Sequence, residues 1–143
     1  MKVLIIKLTS MGDLMHALPA LSDAAKAFPG IEFDWVVDEA FAEVPKWHPN
    51  VRKVITTSHR RWKKSAWQTL TGGELRQFYR ELNLDDYDAV VDMQNNLKSA
   101  LVSKLRRGPV YGLDKQSCRE RPAHLAYQYP ITVNPQQHAV DRM

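Results

Sequence analysis

Cysteine is almost missing from the sequence: Cys118 stands alone. One thiol closes no internal disulfide and builds no cysteine zinc cluster, and it fits a reducing compartment. Long apolar runs are missing too, since nothing approaches the roughly 20 residues of a membrane span. The run after Lys2 is about five residues and is cut by Lys7, too short for a signal-peptide core. A cytoplasmic protein is expected, one that reaches a membrane only peripherally and through charge. Acid is missing from a whole stretch. Between Lys46 and Glu74 there is none, while Arg52, Lys53, Arg60, Arg61, Lys63 and Lys64 all fall there. The overall balance of 20 basic against 16 acidic residues says little beside that clustering. Such a block suits phosphate, nucleic acid or acidic lipid, or forms a solvated basic face. Phosphate-binding glycine loops are also missing. Gly12 is the one glycine before Gly30, so there is neither Gly-x-Gly-x-x-Gly nor a Walker loop. His48, His59, His124 and His138 share no metal-ligand spacing with each other or with Cys118, so no metal is expected.

What the chain does have begins at once. Val3-Leu4-Ile5-Ile6 reads as a buried strand, and Leu14, Leu18, Leu21, Ala25 and Phe28 lie on one face of a helix. Between them is Thr9-Ser10-Met11-Gly12-Asp13, a polar turn after a strand and before a helix, where α/β sheets place their chemistry. Asp13 is the only carboxylate in the first 22 residues. Two roles are open to it. As a helix N-cap it would stabilise by about 1 kcal/mol. As a general base it would stay ionised beside the helix N-terminus. His16, three residues on, either orients Asp13, contacts a substrate, or is structural. Pro19 interrupts the helical pattern, so the helix either starts near it or kinks there.

Strands are expected at residues 2–8, 31–37, 51–57, 88–93 and 110–113. Helices are expected at 13–28, 40–44, 73–84 and 97–106, with another near 123–127. Strands alternating with helices over 143 residues predict one domain: a doubly wound, mostly parallel, Rossmann-like α/β sheet. The last residues, Gln136 to Met143, read like the opening of a helix that is cut short, as in a fragment of something longer. Asp92 to Asn96 follows a strand, so Gln94 falls on the same sheet edge as Asp13. The segment from His59 to Trp67 interleaves cations with tryptophans, a pattern that suits phosphates and stacked rings. A nucleic-acid module is the competing reading, but no recognised nucleic-acid motif accompanies the segment. Arg119-Glu120-Arg121 adds a charged cluster.

These residues together resemble the lipopolysaccharide heptosyltransferase I family of ADP-heptose-dependent glycosyltransferases. The likeness rests on Thr9 to Asp13 with His16 and Leu18-Pro19-Ala20-Leu21, and on Phe33 to Val37 and Arg60-Arg61-Trp62. It continues through Tyr87 to Asp92, Gln94, Lys98-Ser99-Ala100 and Gln137 to Val140. Asn95 departs from it, standing where the family has glycine. The resemblance implies a GT-B architecture of two Rossmann-like domains. Residues 1–143 match the N-terminal, acceptor-binding one; the donor-binding C-terminal domain is absent from the chain. It implies inverting, metal-free transfer of heptose from ADP-L-glycero-D-manno-heptose to Kdo–lipid A, with no cofactor and no nucleic acid. Asp13 would be the base. Ser10, Met11, Gly12, His16 and Gln94 would contact substrate, and Arg60, Arg61, Lys63, Lys64 and Arg119 would hold acceptor anions. A transferase adding a later heptose would share the first loop, and the domain alone is expected to be silent.

Overall fold

The structure is a computed structural model. It describes residues 1–64, 72–134 and 136–138, without the side chains of Arg60 and Lys63. The expected helix opening past Gln136 lies largely outside the described residues, as do positions 65–67 of the tryptophan-rich segment.

Six strands form one sheet: β1 (Lys2–Ile6), β2 (Glu32–Asp38), β3 (Val51–Thr57), β4 (Ala89–Asp92), β5 (Val110–Leu113) and β6 (Tyr129–Ile131). Their order is β3-β2-β1-β4-β5-β6 and every pairing is parallel. Helix α1 (Met11–Ala27) joins β1 to β2. Helices α2 (His59–Lys64) and α3 (Glu74–Leu82) lie between β3 and β4, and α4 (Leu97–Lys104) joins β4 to β5. The expected doubly wound sheet is therefore the one observed.

Alternation along the central strands divides the core in two. Val3, Ile5, Phe33, Trp35 and Val37 face α1 and pack on Leu14, Ala17 and Leu21. Leu4, Ile6, Val36 and Val90 face the other way, onto Phe78 and Leu82 of α3 and Ala100 and Val102 of α4. Covered on both faces, β1 reads as an unbroken apolar run rather than an alternating one.

Four expectations change. α1 is one helix from Met11, so Pro19 does not mark its start. The lost bond is the one residue 19 would give the Met15 carbonyl, on a turn where both residues are exposed to water. The helix expected at 40–44 is instead two 3-10 turns, Glu39–Phe41 and Pro45–Trp47. Asp38 caps the first by accepting from the Ala40 amide at 3.1 Å, and Pro45 cannot donate within a continuing helix. The helix expected near 123–127 is a 3-10 helix, Arg121–Ala126, opened by Pro122. β6 was not expected at all, because Pro130 sits inside it; as the sheet's last strand it tolerates a missing donor.

At the other end of the sheet a charge network ties β1, β2, β3 and the turn before β4. Buried Asp34 accepts from Arg52 Nε at 3.1 Å, Arg52 Nη2 at 2.6 Å and the Tyr87 hydroxyl at 2.6 Å. Arg52 also meets Asp85 at 3.1 Å. Hydrogen bonding to Asp34, then Asp85, raises the Arg52 pKa, so it is charged throughout the accessible range. Arg52→Leu would leave the Asp34 charge with the Tyr87 hydroxyl alone, and should cost about 3 kcal/mol. Urea unfolding measures this; a loss under about 1 kcal/mol, the worth of an exposed pair, would show that Arg52 does not compensate Asp34.

Candidate active site at the β1–β4 crevice

β1 and β4 lie side by side, with Ile6 opposite Asp92. The chain leaves β1 toward β2 and leaves β4 toward β5, in opposite directions, and this opens a crevice at their carboxyl ends. Three side chains stitch its walls. Lys7, buried, donates from Nζ to the Met93 carbonyl at 2.8 Å. Gln94 Oε1 accepts from the Leu8 and Thr9 amides at 3.1 and 3.3 Å. Trp35 donates to the Lys7 carbonyl at 3.0 Å.

Asp92 forms the floor. One of its oxygens accepts from the Gln94 and Asn95 amides at 2.9 and 3.0 Å, and the other from the Tyr127 hydroxyl at 2.8 Å. Burial raises its pKa against those bonds. Asn95 explains its own departure from glycine. Its φ of 53° lies in the left-handed region, which glycine adopts freely and asparagine tolerates better than most residues. Its side chain then accepts from the Leu113 amide at 2.7 Å, a bond glycine cannot make.

Asp13 stands on the opposite wall, in the third position of α1, with Ser10 as the cap. The simple cap role considered for Asp13 is thus taken by Ser10. The Ser10 amide and hydroxyl both donate to Asp13 Oδ2 at 3.0 Å. Oδ1 accepts no hydrogen bond among the described residues. Partial burial pushes the Asp13 pKa up, but the two Ser10 bonds and the charges of Lys7 and Arg119 outweigh it and leave the group below 3.8. The carboxylate is ionised at neutral pH and has one oxygen uncommitted.

Arg119 is brought to Asp13 by its neighbour. Glu120 donates its amide to the Asn95 carbonyl at 3.3 Å and accepts from the Leu97 amide at 2.8 Å, docking the segment on the start of α4. Met11, Gly12 and His16 are exposed on the first turns of α1. A Cβ on Gly12 would meet nothing within 4 Å, so the helix surface at Gly12 faces open space. Ser10, not His16, orients the carboxylate. Gln94 spends its oxygen on the β1 loop.

The basic segment lies at the end of β3, two strands from β1. Among the described residues neither Arg61 nor Lys64 touches Asp13. The side chains of Arg60 and Lys63 lie outside the described residues. Trp62 packs edge-on against His59 and Phe78 and donates to Glu74 at 3.0 Å. Arg61 Nη2 reaches Ser58 at 2.9 Å, Glu39 at 3.3 Å and Glu74 at 3.4 Å. These residues line a polar recess of about 230 Å³. Among the described residues no group of His, Cys, Asp and Glu is placed to hold a metal ion.

Sequence reasoning missed Lys7 as a site residue and Glu120 as its organiser. A lysine inside an otherwise apolar strand was the available signal for the first; nothing local marks the second.

A glycosyltransferase domain is the class that this fold and crevice fit, and sequence comparison agrees. Residues 75–143 match the model of glycosyltransferase family 9 (heptosyltransferase). The chain is 52% identical over 143 residues to lipopolysaccharide heptosyltransferase 1 of Pseudomonas aeruginosa, covering 99% of this chain and 40% of that protein. It is 48% identical to the protein of that name from Escherichia coli K12, covering 99% and 45%. The solved structure of E. coli heptosyltransferase WaaC with ADP superposes with a TM-score of 0.96 at 46% identity, again over 99% of this chain and 45% of that one. A family 9 glycosyltransferase from Veillonella parvula shares the fold at 18% identity and a TM-score of 0.76. The chain is similar over nearly its whole length to heptosyltransferases of family 9, and it spans less than half the length of the curated relatives it matches.

Two predictions follow from this geometry. Asn95→Gly should keep the left-handed turn and lose the Leu113 bond, costing about 1 kcal/mol. Asn95→Ala should cost about 1 kcal/mol more than the glycine variant, because it loses the same bond and keeps a Cβ in that region without the side-chain amide that lets asparagine tolerate it. Thermal unfolding of the two variants measures the order, and a reversed order would contradict it. Stability should also fall in two stages on acidification. Burial lowers the His48 and His59 pKa values below 6.5, and Asp13 lies below 3.8. A group depressed in the folded state stabilises above its unfolded pKa and loses that contribution as pH falls toward its folded one. Urea midpoints should therefore decline below 6.5 and again below 3.8; a flat profile would contradict both assignments.

Proposed function

We propose that this chain is the acceptor-side domain of a heptosyltransferase of lipopolysaccharide inner-core synthesis, with Asp13 as general base. The observation that carries the reading is the Asp13 carboxylate: ionised, held through one oxygen by Ser10, and open at the other toward a switch-point crevice. The relatives' names support the reaction class. The donor reading, ADP-L-glycero-D-manno-heptose, is supported by relatives solved with ADP and with ADP-2-deoxy-2-fluoro heptose.

In this mechanism Oδ1 accepts the proton of a Kdo–lipid A hydroxyl while that oxygen attacks the anomeric carbon and ADP leaves from the opposite face. The configuration inverts. A carboxylate below 3.8 is a weak base, so the proton moves late, as the new bond makes the hydroxyl acidic. Placement within hydrogen-bond reach does the work that basicity does not. Lys7 and Arg119 keep the site positive beside Asp13. Arg119, Arg61 and Lys64, with Arg60 and Lys63, take the carboxylate and phosphate groups of the acceptor. Ser10, Met11, Gly12 and His16 line its approach. Most donor contacts belong to a second Rossmann-like domain, so the 143 residues alone should transfer no heptose. The work is done at the cytoplasmic face of the inner membrane. Addition of a later heptose by the same loop is the runner-up, and an acceptor panel separates the two.

In a full-length protein carrying this domain, Asp13→Asn should lower kcat by about 10³-fold and leave acceptor KM within about threefold. Turnover within tenfold of the parent would remove Asp13 from the chemistry. Acceptor anions must compete with Glu39 and Glu74 for Arg61. Glu74→Gln should therefore lower acceptor KM by about two- to fivefold, the scale of one exposed ion pair, while Arg61→Glu with Lys64→Glu should raise it. An unchanged KM in both variants would take the basic segment out of acceptor binding.

A further inference from the structure

The outward face of α4 is apolar where the inward face already fills the core. Ala100 and Val102 are buried against the sheet. Leu97, Leu101 and Leu105, four residues apart, make a single row facing solvent, with Leu101 63% exposed. The 3-10 helix Arg121–Ala126 packs alongside, held by the Glu120 carboxylate on the Leu97 amide, and presents Leu125 at 70% exposure. Single exposed leucines are ordinary; a row of three, with a fourth exposed leucine on the element packed beside it, is not.

Charge says what covers it. On a 3.6-residue helix, Lys98 and Lys104 fall on the two flanks of the leucine row. Both are exposed, as are Arg107 and Arg121 at its ends. The sequence contains no acid from Leu97 to Leu113. The Glu120 carboxylate at the start of the row is spent on the Leu97 amide, and Asp86 at its far end faces Arg106 at 3.7 Å. Apolar side chains in a line with cations on both flanks match a bilayer interface, where leucines enter below the headgroups and lysines meet lipid phosphates. A helix of eight residues lies on such a surface and does not cross it. No helix among the described residues is long and apolar enough to cross a membrane.

We propose that the leucine row of α4, with Leu125, docks this chain flat onto an anionic lipid surface. α4 starts immediately after the loop that walls the crevice, so the docked face sits beside the site. The docking needs neither Asp13 nor an acceptor, and it stands or falls separately from the transferase reading.

The test is co-sedimentation of this chain with vesicles of phosphatidylcholine containing phosphatidylglycerol, against phosphatidylcholine alone. Leu101→Ser with Leu125→Ser should keep the circular dichroism spectrum and lower partitioning into the anionic vesicles by about tenfold, since two inserted leucines are lost. Lys98→Glu with Lys104→Glu should lower it at least as much and remove its salt sensitivity. Arg61→Glu with Lys64→Glu, on the far side of α3, should retain most of it. Three outcomes overturn the proposal: a parent that stays in the supernatant, a serine variant that binds like the parent, or a loss that tracks only the α2 charges. A parent that self-associates through this face, with vesicle binding unaffected by the serines, would assign the row to a protein partner instead and equally defeat it.

Discussion

The whole arrangement depends on β1 and β4 being neighbours whose chains depart in opposite directions. That topology leaves a gap at the carboxyl end of the sheet centre which no crossover can fill. The gap would be a weakness without the bonds across it. Lys7 reaches the Met93 carbonyl, and Gln94 reaches two amides of the β1 loop. These bonds span 85 or 86 residues of sequence, so the crevice forms only when the sheet does. A buried lysine is costly unless it is hydrogen-bonded; here its charge also falls on Asp13 across the gap.

Two carboxylates in one crevice are treated in opposite ways. Asp92 is buried, receives two amides and a tyrosine hydroxyl, and has its pKa raised by burial. It builds the floor. Asp13 is only partly buried, receives both its bonds on one oxygen, and has its pKa lowered despite its burial. It is left able to act. Separating the environments of neighbouring acids is how one site gives them different tasks. Asn95 joins the two walls' surroundings, tying β4's loop to β5 through its side chain and to Glu120 through its carbonyl. Arg119 arrives near Asp13 as a result.

Much of the fold was legible because period and composition agree locally. The unbroken apolar run of β1, the helical spacing from Leu14 to Leu21 and the β-branched β3 each state their own environment. The misreadings sit at prolines. Pro19 left two readings open and only the helix start is excluded, since α1 runs through it much as the expected 13–28 helix does; Pro45 divided a helix into two turns, and Pro130 hid an edge strand. The site was legible in part. A turn after the first strand drew attention to Asp13, and its residue types suggested chemistry. What escaped was Ser10 as the clamp, Lys7 as the buried charge and Glu120 as the anchor. Each acts through a partner that only the sheet brings near, except Ser10, whose hydroxyl and amide reach three residues along one helical turn.

The central claim is that the crevice holds the Asp13 carboxylate ionised by clamping one oxygen and leaving the other open. Carbon-detected NMR titration of the Asp13 carboxyl in this chain tests that directly. The account predicts a midpoint below 3.8, rising toward the ordinary aspartate value when Ser10→Ala removes the hydroxyl. A midpoint at or above that value in the parent chain would contradict it, because burial would then have outweighed the Ser10 bonds and the neighbouring cations.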